Sequence, residues 1–116
     1  MNAVKNFVQL VGNLGRKPEV KHLESGKIVA RFSVATSDFY LNKMGEKVQD
    51  TQWHNIVAWG KNASLAEAEL DKGKEVLIKG KIAYKTFDDK NGIRRTISEI
   101  VAEEIELVQR PSIATE

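Results

Sequence analysis

The chain has 116 residues, 41% hydrophobic and 29% charged, a balance typical of one small globular domain rather than a disordered segment. It contains no cysteine, which excludes disulfides and thiolate metal sites. It also contains no apolar stretch of membrane-spanning or secretion-signal length. We therefore expect a cytoplasmic protein.

The charge is distributed unevenly along the chain. Residues 1–98 carry 17 Lys and Arg against 11 Asp and Glu, whereas residues 99–116 carry one against five. Most of the basic residues are lysines, whose mobile point charges suit phosphate contacts, while arginine forks suit the reading of base edges. This distribution favours nucleic-acid binding that does not depend on sequence.

Alternating apolar and polar residues predict strands through much of the chain. The first strand is closed by a Gly12-Asn13-Leu14-Gly15 bend, and the second and third runs form a hairpin. An Asn91-Gly92 turn predicts a second hairpin near the C-terminus. The predicted strand segments are residues 4–11, 19–23, 28–36, 51–59, 75–87 and 94–108.

Two other segments interrupt the strands. Residues 40–50 read as a long polar loop, where function often lies. Leu65, Ala66 and Leu70 fit a short helix, with Asn62 or Ser64 as its N-cap and Lys72-Gly73-Lys74 as its end.

These elements predict an all-β fold. Five strands with one short helix between the third and fourth are the plan of an OB-fold, a five-stranded Greek-key barrel. A β-sandwich of similar length would need about seven strands. We expect the domain to cover residues 1–109 and a short flexible C-terminal tail to cover residues 110–116.

The eight aromatic residues fall into groups with different expected roles. Phe7 and Phe32 lie among aliphatic residues and are expected in the core, while Phe39 and Tyr84 receive no role. Trp53 and Trp59 share the parity of one strand, so both should point to the same face, with the polar Asn55 between them. The remaining two, at strand ends beside polar segments, are Tyr40 and Phe87.

A single tryptophan is more often a core residue than a ligand contact, but a set of aromatics among lysines favours nucleic acid. Each base has a π-face, so aromatic stacking holds single strands without reading their sequence. Lysines between such rings would neutralise phosphates. The basic candidates are Lys43, Lys61, Lys72, Lys85 and Arg95.

Several blocks resemble bacterial single-stranded DNA-binding proteins (the SSB family). The similar runs are Val11-Gly12-Asn13-Leu14-Gly15-Arg16-Lys17-Pro18-Glu19-Val20, Ala35-Thr36-Ser37, Thr51-Gln52-Trp53-His54-Asn55-Ile56-Val57-Ala58-Trp59-Gly60-Lys61 and Lys72-Gly73-Lys74-Glu75-Val76. The resemblance implies an OB-fold, sequence-independent single-stranded DNA binding, a homotetramer, and a role in replication, recombination and repair. It places base-stacking positions at Tyr40, Trp53, Trp59 and Phe87, and a role in subunit assembly at His54.

The chain departs from the family pattern at two points. Family members usually end in an acidic tip that recruits replication proteins, and such recruitment is not expected of this chain as it stands. An aromatic often found after the basic pair of the last strand is Thr96 here, so one contact is expected to be missing.

The alternative functions are a nuclease, a primosomal replication subunit and an OB module that binds only proteins. A nuclease would need a metal site, but the Asp88-Asp89 and Glu103-Glu104 pairs are neighbours whose side chains diverge on a strand or lie in a turn. We therefore predict no catalysis, no cofactor and no metal site. A dimeric primosomal replication subunit, or an OB module that binds only proteins, remains open.

Overall fold

Six strand segments and one helix follow one another in the computed structural model, which describes residues 5–108. They are β1 (Val8–Leu14), β2 (Glu19–His22), β3 (Ile28–Leu41), β4 (Lys47–Trp59), α1 (Lys61–Glu69), β5 (Glu75–Asp88) and β6 (Arg94–Leu107).

The strands close into a barrel. Their order in the sheet is β1-β5-β6-β4-β3-β2, and an additional pairing of β1 with β3 joins the two ends. Because β1 and β2 both pair with β3, they share one position in the barrel, which therefore has five. The only parallel pairing within residues 5–108 joins β4 to β6. This arrangement confirms the predicted OB-fold barrel with its helix between the third and fourth barrel strands.

Inward-pointing residues alternate along each strand and form the core. Val34, Ile56, Val76 and Ile78 are its largest fully buried side chains. Phe32 is buried as predicted, but the prediction for Phe7 was wrong, since 54% of its surface is exposed. The core positions of β1 have even numbers, so an odd-numbered residue just before the strand points outward.

The predicted loop at residues 40–50 was also wrong. Strands β3 and β4 pair without interruption out to Leu41 and Lys47, which leaves only a short turn. This hairpin extends beyond the barrel and is exposed on both faces, so it needs no apolar alternation, and periodicity could not reveal it.

Three hairpin turns share one construction. In each, the N–H of the first residue donates to the carbonyl of the residue four positions later, and its carbonyl accepts from the N–H of the fourth residue, a glycine with positive φ. In two of them an Asx side chain accepts hydrogen bonds from the backbone N–H groups two and four residues on. These turns comprise residues 23–27, 42–46 and 89–93, and their glycines are Gly26, Gly45 and Gly92.

Helix α1 begins and ends earlier than predicted. Gly60 is its N-cap, with no side-chain cap hydrogen bond, so the predicted caps at Asn62 and Ser64 were wrong. The Asn62 amide instead donates to the carbonyl oxygens of Ala102 and Glu103, which fastens α1 to β6. The helix ends at Glu69. Gly73 belongs to a separate turn, and its N–H donates to the Leu14 carbonyl.

The predicted tail at residues 110–116, with residue 109 at the end of the predicted domain, lies outside the described residues. Across residues 5–108, no helix has the length and apolar character that a membrane crossing requires.

Candidate nucleic-acid interface

The outer face of β3 and β4 carries both tryptophans. Register pairs Trp53 with Ala35 and Trp59 with Val29, so both indoles point away from the core. They are 60% and 45% exposed. The predicted common face is therefore present, and Asn55 lies on it between them, also exposed.

Trp53 rests on the bend that follows β1. A Cβ atom on Gly15 would lie only 2.7 Å from Cζ3 of the Trp53 ring, so glycine makes room for the indole. Lys72 stands in a turn tied to the same end of the barrel, because the neighbouring Gly73 donates to the Leu14 carbonyl and accepts from the Asn13 amide. The turn that carries Lys72 and the Trp53 ring thus both contact the chain segment at the end of β1.

Phe87 and Lys85 lie on the outer face of β5, opposite Arg95 and Ile97 of β6. A cavity of about 400 Å³ is lined by Phe87, Lys85 and Ile97 together with Arg31 and Glu99. A second cavity of about 150 Å³ shares Arg31, Ile97 and Glu99 and continues past Ser33 and Asn55. The two cavities make a groove that connects the Phe87 side of the barrel with the tryptophan-bearing face of β4.

The other end of the tryptophan face meets the β2–β3 turn. Trp59 lines a further cavity of about 460 Å³ with Gly26, Lys27, Ile28 and Gly60. Lys61 follows directly as the first residue of α1 and is exposed. Lys61 is therefore two residues from Trp59 along the chain.

The aromatics of the β3–β4 hairpin divide between its two faces. Tyr40 pairs with Val48 and shares the face that continues the core side, opposite to the face of Trp53. Phe39, for which no role was predicted, pairs with Gln49 on the tryptophan face, and the Lys47 ammonium lies 4.4 Å from its ring centroid. Lys43 is exposed in the turn at the hairpin tip. Knowing that residues 40–50 form a strand pair would have revealed Phe39 by parity.

Arg95 is engaged with a carboxylate rather than open to solvent on all sides. Its Nε lies 2.5 Å from Oδ2 of Asp89. The Arg95 guanidinium, followed by the Ile93 N–H, holds the pKa of Asp89 below its ordinary value of 3.8. A spacing of six residues across a turn gives little warning of this pair in the sequence.

His54 lies on the core-side face of β4, opposite Val34, and is half-buried. Its Nε2 is hydrogen-bonded to the Thr36 hydroxyl at 2.9 Å. It is therefore separate from the aromatic face.

Carboxylates are not grouped for metal binding in the described part of the chain. Residues 5–108 contain no cluster of three or more potential metal ligands. Asp88 and Asp89 instead face Arg94 and Arg95, at 3.7 and 2.5 Å.

Known proteins with similar sequences carry a consistent name. A single-stranded DNA-binding protein of Neisseria meningitidis serogroup A is 42% identical over 103 residues, which cover 89% of this chain and 59% of that protein. Single-stranded DNA-binding protein 1 of Chlorobaculum tepidum is 38% identical over 104 residues, covering 89% and 64%. This chain thus spans about three fifths of the length of these relatives.

Solved structures give the same result for the fold. The Plasmodium falciparum SSB, solved in complex with ssDNA, superposes with a TM-score of 0.83 at 29% identity, covering 94% of this chain and all of that one. A deletion mutant of the single-stranded DNA binding protein from Thermus aquaticus superposes with a TM-score of 0.79 at 21% identity, covering 93% of this chain and 52% of that one. This is a likeness of fold alone. The model of the single-strand binding protein family matches residues 5–108. The chain therefore belongs to the single-strand binding protein family.

Proposed function

We propose that this protein binds single-stranded DNA without sequence preference, by stacking bases on aromatic rings and contacting phosphates with lysines. The observation that carries the proposal is the pair of outward-facing indoles, Trp53 and Trp59, on one strand face. Exposed rings aligned in this way offer successive stacking platforms, each worth roughly 1–3 kcal/mol per base. The ssDNA complex of the Plasmodium relative supports the same ligand.

The remaining contacts follow from position and from family resemblance. Phe87 and Lys85 flank the groove at one side, Lys61 follows Trp59 closely along the chain, and Lys72 lies in the turn that is hydrogen-bonded to the end of β1. Tyr40 and Lys43 belong to the protruding hairpin, which a strand would reach after leaving the barrel face. Arg95 contributes in part, because Asp89 already neutralises some of its charge.

Assembly and cellular role complete the proposal. We infer a cytoplasmic homotetramer, with His54 supporting assembly, that protects single strands during replication, recombination and repair. Exposed Phe7 and Val11 on the outer side of β1 are apolar surface that self-association would cover. The role is one of binding without catalysis.

Titration with oligo-dT of increasing length tests this function. Because both tryptophans lie in the proposed site, we expect strong quenching of intrinsic fluorescence that saturates with DNA. Affinity should fall with salt, with a log–log slope near −0.7 for each phosphate neutralised. An unchanged emission at saturating DNA would contradict the stacking role, and a slope near zero would contradict the lysine role; loss of both would favour an OB module that binds only proteins.

A further inference from the structure

An ion pair lines both cavities of the groove. Arg31 of β3 reaches across β4 to Glu99 of β6, with Nη1 2.5 Å from Oε2. The Glu99 side chain is 8% exposed and the Arg31 side chain 45%. Glu99 is thus the buried anchor of the pair, and Arg31 is its accessible member.

The register of β3, β4 and β6 fixes where this pair stands. Arg31 lies opposite Val57, which is two residues from Trp59 and four from Trp53 along β4. Val57 in turn stands beside Val101, two residues from Glu99. The pair therefore crosses β4 between the two indoles, in the path of a strand that stacks on both.

The charges that line the smaller cavity balance. Two positive side chains, Arg16 and Arg31, and two negative ones, Glu19 and Glu99, line it. A phosphate placed here would meet a fixed carboxylate, and an arginine that is already neutralised releases few counterions. This stretch of the groove is unsuited to the DNA backbone.

We propose that Arg31, positioned by Glu99, contacts base edges rather than phosphates and so turns the bases toward the barrel between Trp53 and Trp59. A guanidinium carries five N–H donors, so those that Glu99 does not use stay available to acceptors on the bases. All four bases carry acceptors on their edges, so Arg31 supports binding without demanding one sequence. Arg31 is then a DNA contact and Glu99 a positioning residue. This inference rests on the proposed single-stranded DNA binding.

The double variant Arg31→Met with Glu99→Leu removes both charges and all hydrogen-bonding groups of the pair. Only the Glu99 side of the pair is buried, and replacing both partners together leaves no unpaired charge there, so we expect the fold to be preserved, which thermal unfolding checks. In fluorescence titrations with oligo-dT, we expect affinity to fall about threefold to tenfold at every salt concentration, the worth of one or two net hydrogen bonds. The salt slope should equal that of the wild type.

The single variant Glu99→Gln makes the opposite change, because it leaves Arg31 charged and unpaired. We expect its salt slope to become steeper by about 0.7, the value for one added phosphate contact on a single strand. Glu106→Gln is the matched control. It removes one negative charge from the exposed side of β6, opposite Leu77 and away from the groove, and should keep the wild-type slope.

Three results would overturn the inference while leaving oligo-dT binding intact. They are wild-type affinity in the double variant, a double-variant slope shallower by about 0.7, and an unchanged slope in Glu99→Gln. The second would mean that Arg31 already contacts a phosphate. Failure of the wild-type protein to bind oligo-dT would instead overturn the proposed function itself. If Glu99→Gln does not fold, the double variant decides alone.

Discussion

Two glycines, three residues apart near the end of β1, limit side-chain size for different reasons. A Cβ atom on Gly12 would lie 2.1 Å from the Ala35 carbonyl oxygen, a backbone atom in the paired strand. A Cβ atom on Gly15 would meet only the Trp53 ring, whose side chain is largely exposed and free to turn away. The first glycine therefore serves barrel closure, and the second serves the orientation of one indole.

We predict that alanine separates these two roles. Gly12→Ala should lower the free energy of unfolding by about 1–3 kcal/mol or more, because the two strands must move apart. Gly15→Ala should leave urea unfolding nearly unchanged but weaken oligo-dT binding, by no more than the roughly 1–3 kcal/mol of one stacked base. Wild-type DNA affinity in a folded Gly15→Ala variant would show that the position of the indole against the bend is unimportant.

Among the elements, the β5–β6 hairpin depends on one carboxylate with two functions. Asp89 accepts hydrogen bonds from the N–H groups of Asn91 and Ile93, and it also pairs with Arg95. Asn42 fills the equivalent place in the β3–β4 turn with an amide oxygen and no charge. The turn at residues 23–27 has the same backbone hydrogen bonds with Leu23 in this place, so the side-chain acceptor adds to a geometry that forms without it, and the charge is a further addition specific to β5–β6.

This difference predicts a pH effect that is confined to one hairpin. Because the pKa of Asp89 in the folded protein is lowered from 3.8, its stabilising contribution is complete above that value and is lost as pH falls through the folded pKa. We expect the Gly92 amide resonance to titrate below pH 3.8 in NMR spectra. Asp89→Asn should keep the turn, as Asn42 does, and abolish that titration; a persistent titration would assign it to another group.

The β3–β4 hairpin makes its own prediction, because adjacent exposed aromatics lie on opposite faces. Phe39 continues the face of Trp53, whereas a strand must round the edge of the hairpin to reach Tyr40. We expect Phe39→Ala to weaken binding already with short oligo-dT, and Tyr40→Ala to weaken binding only with longer oligo-dT. A length series read by fluorescence anisotropy measures both. Equal effects at every length would mean that the strand does not follow the β4 face to the hairpin.

At the scale of the whole molecule, the property to be tested is the number of protomers in the assembly. We predict a mass of about four protomers of 13.0 kDa in light scattering. His54→Ala should shift the population toward smaller species, provided that circular dichroism shows an unchanged fold. A stable wild-type dimer would favour the primosomal reading, and an unaltered tetramer in His54→Ala would remove the assembly role from this side chain.

The extent to which sequence predicted the molecule depended on how local each feature is. Strand parity was enough to place Trp53 and Trp59 on one face, because a continuous β-strand alternates regardless of its partners. It could not extend β3 to Leu41, since a ribbon exposed on both sides carries no apolar alternation. The pairing of Arg31 with Glu99 was beyond sequence, because it depends on β4 lying between two strands that are far apart in the chain.

The way in which β1 closes the barrel also sets an order of events during synthesis. Val8 pairs with Gly80, so the first strand has no β5 partner until most of the domain has left the ribosome. The β2–β3–β4 meander joins neighbouring segments and can assemble earlier. Until β5 is synthesised, the apolar inner face of this meander stays open to water and to other nascent chains. The growing polypeptide is most prone to aggregation in that interval.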